Sequence, residues 1–151
     1  MKHKNSRYEI MEKIVLHVDN AYMVALDNFV RAICDTNHIG NYYATIAVSV
    51  VEAVKKAMEF EKERHQAECV EVISDYDAQG MFFCVHGSEG CFCTDEFSLI
   101  RMLADAVAVT DDSSTLQMSF AIRGIDCREA AQRISVLEHF YHATSVKVLQ
   151  M

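Results

Sequence analysis

The period of the hydrophobic pattern changes along the chain, and this change constrains the fold more than any other feature. Apolar and polar residues alternate over 8–18 and 115–122, which predicts two strands with one buried face each. Short apolar runs at 69–74 and 81–86 predict two more strands. Turn-forming residues at 75–80 separate these runs, so we expect the two strands to form a hairpin.

Three longer segments show helical periodicity instead. They predict helices over 21–36, 42–65 and 96–109, each with one apolar stripe. The far end of the second helix, from Glu59 to Arg64, is charged and is expected to be solvated. The order of elements is then β-α-α-β-β-α-β. We expect a mixed, mainly antiparallel sheet with the helices packed on one face, which is an α+β two-layer sandwich.

The C-terminal part of the chain is predicted to be an addition to this sandwich. Asp126 and Glu129 form a capping pattern that predicts a helix to about residue 143, with a brief strand at 146–148. A length of 151 residues fits one domain with a short appendage. We therefore expect one domain over 1–124 and a helical extension over 125–151 that packs on it.

Charge and hydropathy indicate the class of protein. A net charge of −8 disfavours nucleic acid as a partner, because the phosphate backbone is also negative. The basic start at 1–7 is not followed by an apolar stretch, and no apolar run approaches about 18 residues, so neither a signal peptide nor a membrane span is expected. Six cysteines in a chain with room for a full core are expected to be reduced thiols of a cytoplasmic protein.

Two stretches resemble the motifs of a known family. The run from Ile46 to Ala57 looks like a helix motif in which apolar residues lead to Glu-Ala-x-x-Asn-Ala. The run from Val85 to Phe92 looks like Val-x-Asp-x-Gly-x-x-Phe. Together with the order of elements over 8–123, they resemble the histidine-kinase-like ATPase superfamily, and within it the small anti-sigma-factor serine kinases.

The resemblance implies a role for one face of the second helix. Ser49, Glu52 and Lys56 share this face by their spacing. In the family the face looks into the nucleotide pocket, where the glutamate acts as the catalytic base or orients water. Lys56 stands where the family has the asparagine that binds Mg²⁺, and an ammonium group has no acceptor with which to bind a metal.

The stretch after the hairpin also departs from the family pattern. Gly87 stands where the family has the aspartate that recognises adenine, although a shift of one or two residues would bring Ser88 or Glu89 into that role. No glycine occurs between Gly90 and Gly124, where the family has a lid and a glycine-rich turn. A phosphate cradle needs backbone N–H groups at close approach, which glycine permits.

These departures predict a degenerate member of the family. The expected vestigial pocket consists of Ser49, Glu52, Lys56, Gly87 and Glu89, with no cofactor and with ATP and Mg²⁺ as the ligands to test. We expect a non-catalytic regulatory domain that binds a protein; the resemblance implies a sigma factor or an anti-anti-sigma-like regulator as the partner, and a homodimer. The alternative is an ATP-dependent serine kinase with an atypical pocket and Glu52 as its catalytic base.

Soft side chains around the turn leave further alternatives open. Cys84, His86, Cys91 and Cys93 flank the turn, and residues two apart in a strand share a face, so they are candidate ligands of a tetrahedral zinc site in a structural protein. The other interpretation is small buried thiols, which the lack of a Cys-x-x-Cys pair favours. Six cysteines and seven histidines also leave a Cys–His nucleophile open, which only geometry can assess.

Overall fold

A computed structural model describes residues 12–18, 21–77, 80–93 and 97–122 of the chain. Within them the elements follow in the order β-α-α-β-β-α-β-β, with a short 3-10 turn between the first two helices. The bounds are β1 (Glu12–His17), α1 (Met23–Thr36), the 3-10 turn (Gly40–Tyr42), α2 (Tyr43–Arg64), β2 (Cys69–Asp77), β3 (Gly80–His86), α3 (Ser98–Leu103), β4 (Ala106–Val109) and β5 (Thr115–Ala121).

The five strands form one sheet in the order β1-β2-β3-β5-β4. Every pairing between the described strands is antiparallel. The predicted α+β sandwich is confirmed, and its sheet is antiparallel throughout these strands rather than mixed. β1 and β4 are the edge strands of this sheet.

The core lies between one face of the sheet and the three helices. Every second residue of β3 and of β5 is buried on this face. The alternation was predicted for β5, and β3 shows it as well. The rings of Phe83 and Phe120 meet edge to face there, with centroids 6.3 Å apart. The other face of the sheet, turned away from the helices, is called the outer face below.

A buried carboxylate joins the first two helices. Asp27 of α1 accepts hydrogen bonds from Arg31 Nε, at 2.8 Å, and from the hydroxyl of Tyr43 at the start of α2. The guanidinium of Arg31 also lies 4.4 Å from the centre of the Tyr43 ring. The charge of Asp27 is therefore satisfied locally, as a carboxylate that is only 7% exposed requires.

The predicted helix over 96–109 is wrong in its second half. The helix α3 ends at Leu103, Ala104 is extended, and Ala106–Val109 forms the edge strand β4. Val107 lies opposite Met118 of β5, and the Asp105 N–H donates to the Ser119 carbonyl at 2.8 Å. Valine at every second position suits a strand, and pairing with β5 decides the conformation of a segment that also fits a helical stripe.

The hairpin of β2 and β3 is longer than predicted. The two strands extend to Asp77 and Gly80, so most of the segment 75–80 that was expected to be a loop pairs within the sheet. Gly80 lies against β5, and a Cβ atom there would come 2.2 Å from the Phe120 carbonyl oxygen. Only glycine permits this close approach of two backbones.

Two further predictions lie outside the described residues. They are the helix that begins near Asp126 and the final strand at 146–148, and with them the whole extension over 125–151. In the described part of the chain, no helix combines the length and the apolar character needed to cross a bilayer.

Candidate functional site at the turn after β3

The turn formed by residues 87–93 packs against the C-terminal end of α2. The carboxylate of Glu61 accepts hydrogen bonds from the Ser88 N–H at 2.6 Å and from the Ser88 hydroxyl at 2.9 Å. Glu61 is 1% exposed, so these charge-assisted bonds stabilise a carboxylate that water does not reach. We call this pair the Glu61–Ser88 latch.

Five further N–H groups of the turn also donate within the protein. Three of them reach the loop between β4 and β5: Gly87 donates to the Ser114 carbonyl at 2.9 Å, Gly90 to Asp112 at 2.8 Å, and Phe92 to Ser113 at 2.7 Å. Two remain inside the turn: Cys91 donates to the Ser88 carbonyl at 3.0 Å, and Cys93 to Gly90 at 3.1 Å. Six of the seven amides of the turn are thus engaged, counting that of Ser88.

The loop that receives these bonds is itself held by one carboxylate. Asp112 Oδ1 accepts from the Ser114 hydroxyl at 2.8 Å, from the Ser114 N–H at 3.1 Å and from the Thr110 hydroxyl at 2.9 Å. These hydrogen bonds, led by that of the Ser114 side chain, lower the pKa of Asp112. The turn after β3 is therefore bonded to a loop whose own conformation is fixed by hydrogen bonds.

Gly87, which stands at the predicted adenine-recognition position, is enclosed. A Cβ atom at Gly87 would lie 2.8 Å from Cys91 Sγ and 2.9 Å from Glu61 Oε2, so a side chain there requires Cys91 or Glu61 to move. Of the two neighbours that could replace it in that role, Ser88 is bonded to Glu61, and Glu89 is exposed at the tip of the turn. Burial, with smaller contributions from Glu61 and Cys93, raises the pKa of Cys91 to about 12.

The predicted pocket face of α2 is occupied by other contacts. Ser49 is fully buried, and its hydroxyl donates to the Thr45 carbonyl at 2.9 Å. The ammonium of Lys56 lies 5.8 Å from the centre of the Phe97 ring. Glu52, with 25% of its side chain exposed, has Oε1 at 3.9 Å from Lys55 Nζ.

Aromatic packing connects the turn to α3. Phe97, just before α3, is buried and packs against Phe92 of the turn, with ring centroids 6.2 Å apart. The helix α3 packs on α2. Apolar side chains thus lie beside the residue that the resemblance puts at the metal-binding position, Lys56.

The four predicted zinc ligands are not brought together. Cys84 and His86 project from the outer face, where they contact Gln117 and Thr115 of β5 at 3.7 and 2.7 Å. Cys91 is buried in the turn, and Cys93 is exposed. Among the described residues, no three or more histidine, cysteine, aspartate or glutamate side chains are grouped so that they could hold a metal ion.

The sequence pattern assigned Glu61 to a solvated helix end, and this was wrong. Glu61 is buried, while Glu59 and Glu63 on either side of it are exposed. The signal that could have identified it is its spacing: position 61 continues the apolar stripe of α2 four residues after Ala57. A charged residue on a buried stripe needs a partner, and here it is Ser88.

Comparisons with known proteins do not place the chain in a family. No protein-family model matches the chain, and no curated protein sequence is significantly similar to it.

Proposed function

We propose that this chain is a non-catalytic regulatory domain that acts by binding another protein. The observation that carries the proposal is the closed turn after β3. A nucleotide bound at such a turn needs free N–H donors and a free acceptor for the base. Six N–H groups of the turn donate inside the protein, and the buried carboxylate of Glu61 adds a negative charge that repels phosphate.

The pocket face of α2 supports the same proposal. Lys56 offers only donors, and its ammonium lies over the Phe97 ring. The hydroxyl of Ser49 is bonded to its own helix and has no exposed surface. Lys56 therefore does not fit the role of a Mg²⁺ ligand, and Ser49 is not accessible to a nucleotide.

The class of partner follows from the resemblance alone. In the family that the chain resembles, proteins exchange partners among sigma factors and small anti-anti-sigma domains and form homodimers. We propose a partner of this class for the present chain, bound without help from a nucleotide.

Titration with Mg·ATP tests the proposal against its alternative, a serine kinase. Ligand binding to the folded state would raise the melting temperature. Because we expect no binding, we expect no heat of binding and no change of melting temperature at millimolar Mg·ATP. Stabilisation by several degrees in the parent protein, abolished in the variant Glu52→Ala, would instead support the kinase.

Co-purification from the source cell tests the partner. We expect a protein in constant ratio to the chain, and we expect the complex to persist when nucleotide is removed or added. Recovery of the chain alone, or release of the partner by Mg·ATP, would contradict the proposed regulatory role.

A further inference from the structure

A thiol and an imidazole lie side by side on the outer face of the sheet, at one end of the β1–β2 pairing. His17 of β1 is directly opposite Cys69 of β2, and Cys69 Sγ lies 3.4 Å from His17 Nδ1. Opposite residues of antiparallel strands have Cβ atoms about 4.5–5.5 Å apart, so the two strands fix this separation. The thiol and the imidazole are therefore within hydrogen-bonding distance, which is the first requirement of a Cys–His nucleophile.

The other described cysteines lie in different surroundings. Burial raises the pKa of Cys34 to about 11 and that of Cys91 to about 12, and it also raises the pKa of Cys84. Cys93 is exposed. Of the five cysteines that the structure describes, Cys69 alone is hydrogen-bonded to a described histidine, and it is only half-buried.

We propose that Cys69 and His17 form a thiol-modification site that reacts with small aliphatic disulfides. His17 takes the proton of the Cys69 thiol, and the thiolate attacks one sulfur of the disulfide. The S–S bond of the reagent breaks as the Cys69–sulfur bond forms, and the departing thiolate receives the proton from His17. One small thiol leaves, no other oxidant is consumed, and a thiol reductant reverses the reaction.

The charges around the pair set a preference among such disulfides. Glu71 is the next residue of β2 on the outer face, and His86 of β3 lies opposite it. The carboxylate of Glu71 lies 3.8 Å from Lys13 Nζ of β1. The exposed Glu68 precedes Cys69, and the whole chain carries a net charge of −8. We therefore expect cationic disulfides to react faster than anionic ones.

The test measures the modification of each cysteine in the full reduced chain. The protein is treated with cystamine or with oxidised glutathione, quenched with acid and mapped by peptide mass spectrometry. We expect Cys69 to react on the order of tenfold faster than the exposed Cys93. This rate enhancement is smaller than that of most general bases, because water reaches the Cys69–His17 pair. Cystamine should react faster than oxidised glutathione, and salt should narrow this gap.

Two matched variants assign the effect to the imidazole. His17→Gln should reduce the Cys69 rate to that of Cys93. His86→Gln changes another described histidine of the outer face and should leave the ratio of the two rates unchanged. If His17→Gln fails to fold, the ratio of the Cys69 rate to the Cys93 rate in the parent protein decides. A Cys69 rate no higher than that of Cys93, or a ratio that is unchanged in His17→Gln, would overturn the proposal.

Discussion

At the scale of single residues, Gly87 shows how tightly the turn after β3 is built. A side chain at this position would meet Cys91 Sγ and Glu61 Oε2, both closer than 3.0 Å. From the sequence, a glycine at position 87 means only that the carboxylate with which the family recognises adenine is missing. The structure adds that a side chain here has to displace Cys91 or Glu61, and Glu61 is held by its hydrogen bonds to Ser88.

Substitution of Gly87 tests this packing. Gly87→Ala should lower the free energy of unfolding by about 1–3 kcal/mol, the usual cost of overpacking, as measured by urea denaturation. Gly40→Ala is the matched control, because nothing lies within 4 Å of a Cβ atom at Gly40, and it should change stability by less than about 0.5 kcal/mol. Equal effects of the two substitutions would show that Gly87 is not enclosed.

At the scale of elements, the Glu61–Ser88 latch joins the end of α2 to the turn after β3. The carboxylate accepts two hydrogen bonds from Ser88 and has almost no exposed surface. Loss of the carboxylate leaves a part-buried N–H without an acceptor, which costs more than the loss of one hydroxyl.

Two substitutions separate these costs. Ser88→Ala removes one hydrogen bond and should lower the free energy of unfolding by about 1–2 kcal/mol. Glu61→Ala removes both and should lower it by about 2–4 kcal/mol. Glu63→Ala, at an exposed position of the same helix, should have an effect below about 0.5 kcal/mol. If Glu61→Ala were as mild as Glu63→Ala, the latch would contribute nothing.

The elements also show what the sequence could and could not predict. The long helices α1 and α2 and the alternating strand β5 were predicted closely, because their periodic patterns are long. The segment 106–109 was assigned to a helix, since a short apolar run fits both periods and only pairing with β5 decides between them. Glu61 was assigned to a solvated end because its partner, Ser88, is 27 residues away in sequence.

At the scale of the whole molecule, the described residues form a sheet covered on one face by three helices. The resemblance to an ATPase family rests on this order of elements and on two short motifs. Residues at and around the expected nucleotide site contact other parts of the protein: Ser88 is bonded to Glu61, Lys56 lies over Phe97, and the turn is bonded to the β4–β5 loop. We propose, as the central claim, that the protein itself closes this site.

Amide hydrogen exchange of the turn tests that claim most directly. Because the N–H groups of 87, 88 and 90–93 donate inside the protein, they should exchange at least about a hundredfold more slowly than unstructured amides. Millimolar Mg·ATP should leave these rates unchanged. Fast exchange in the free protein, followed by protection of the same amides when Mg·ATP is added, would contradict the account.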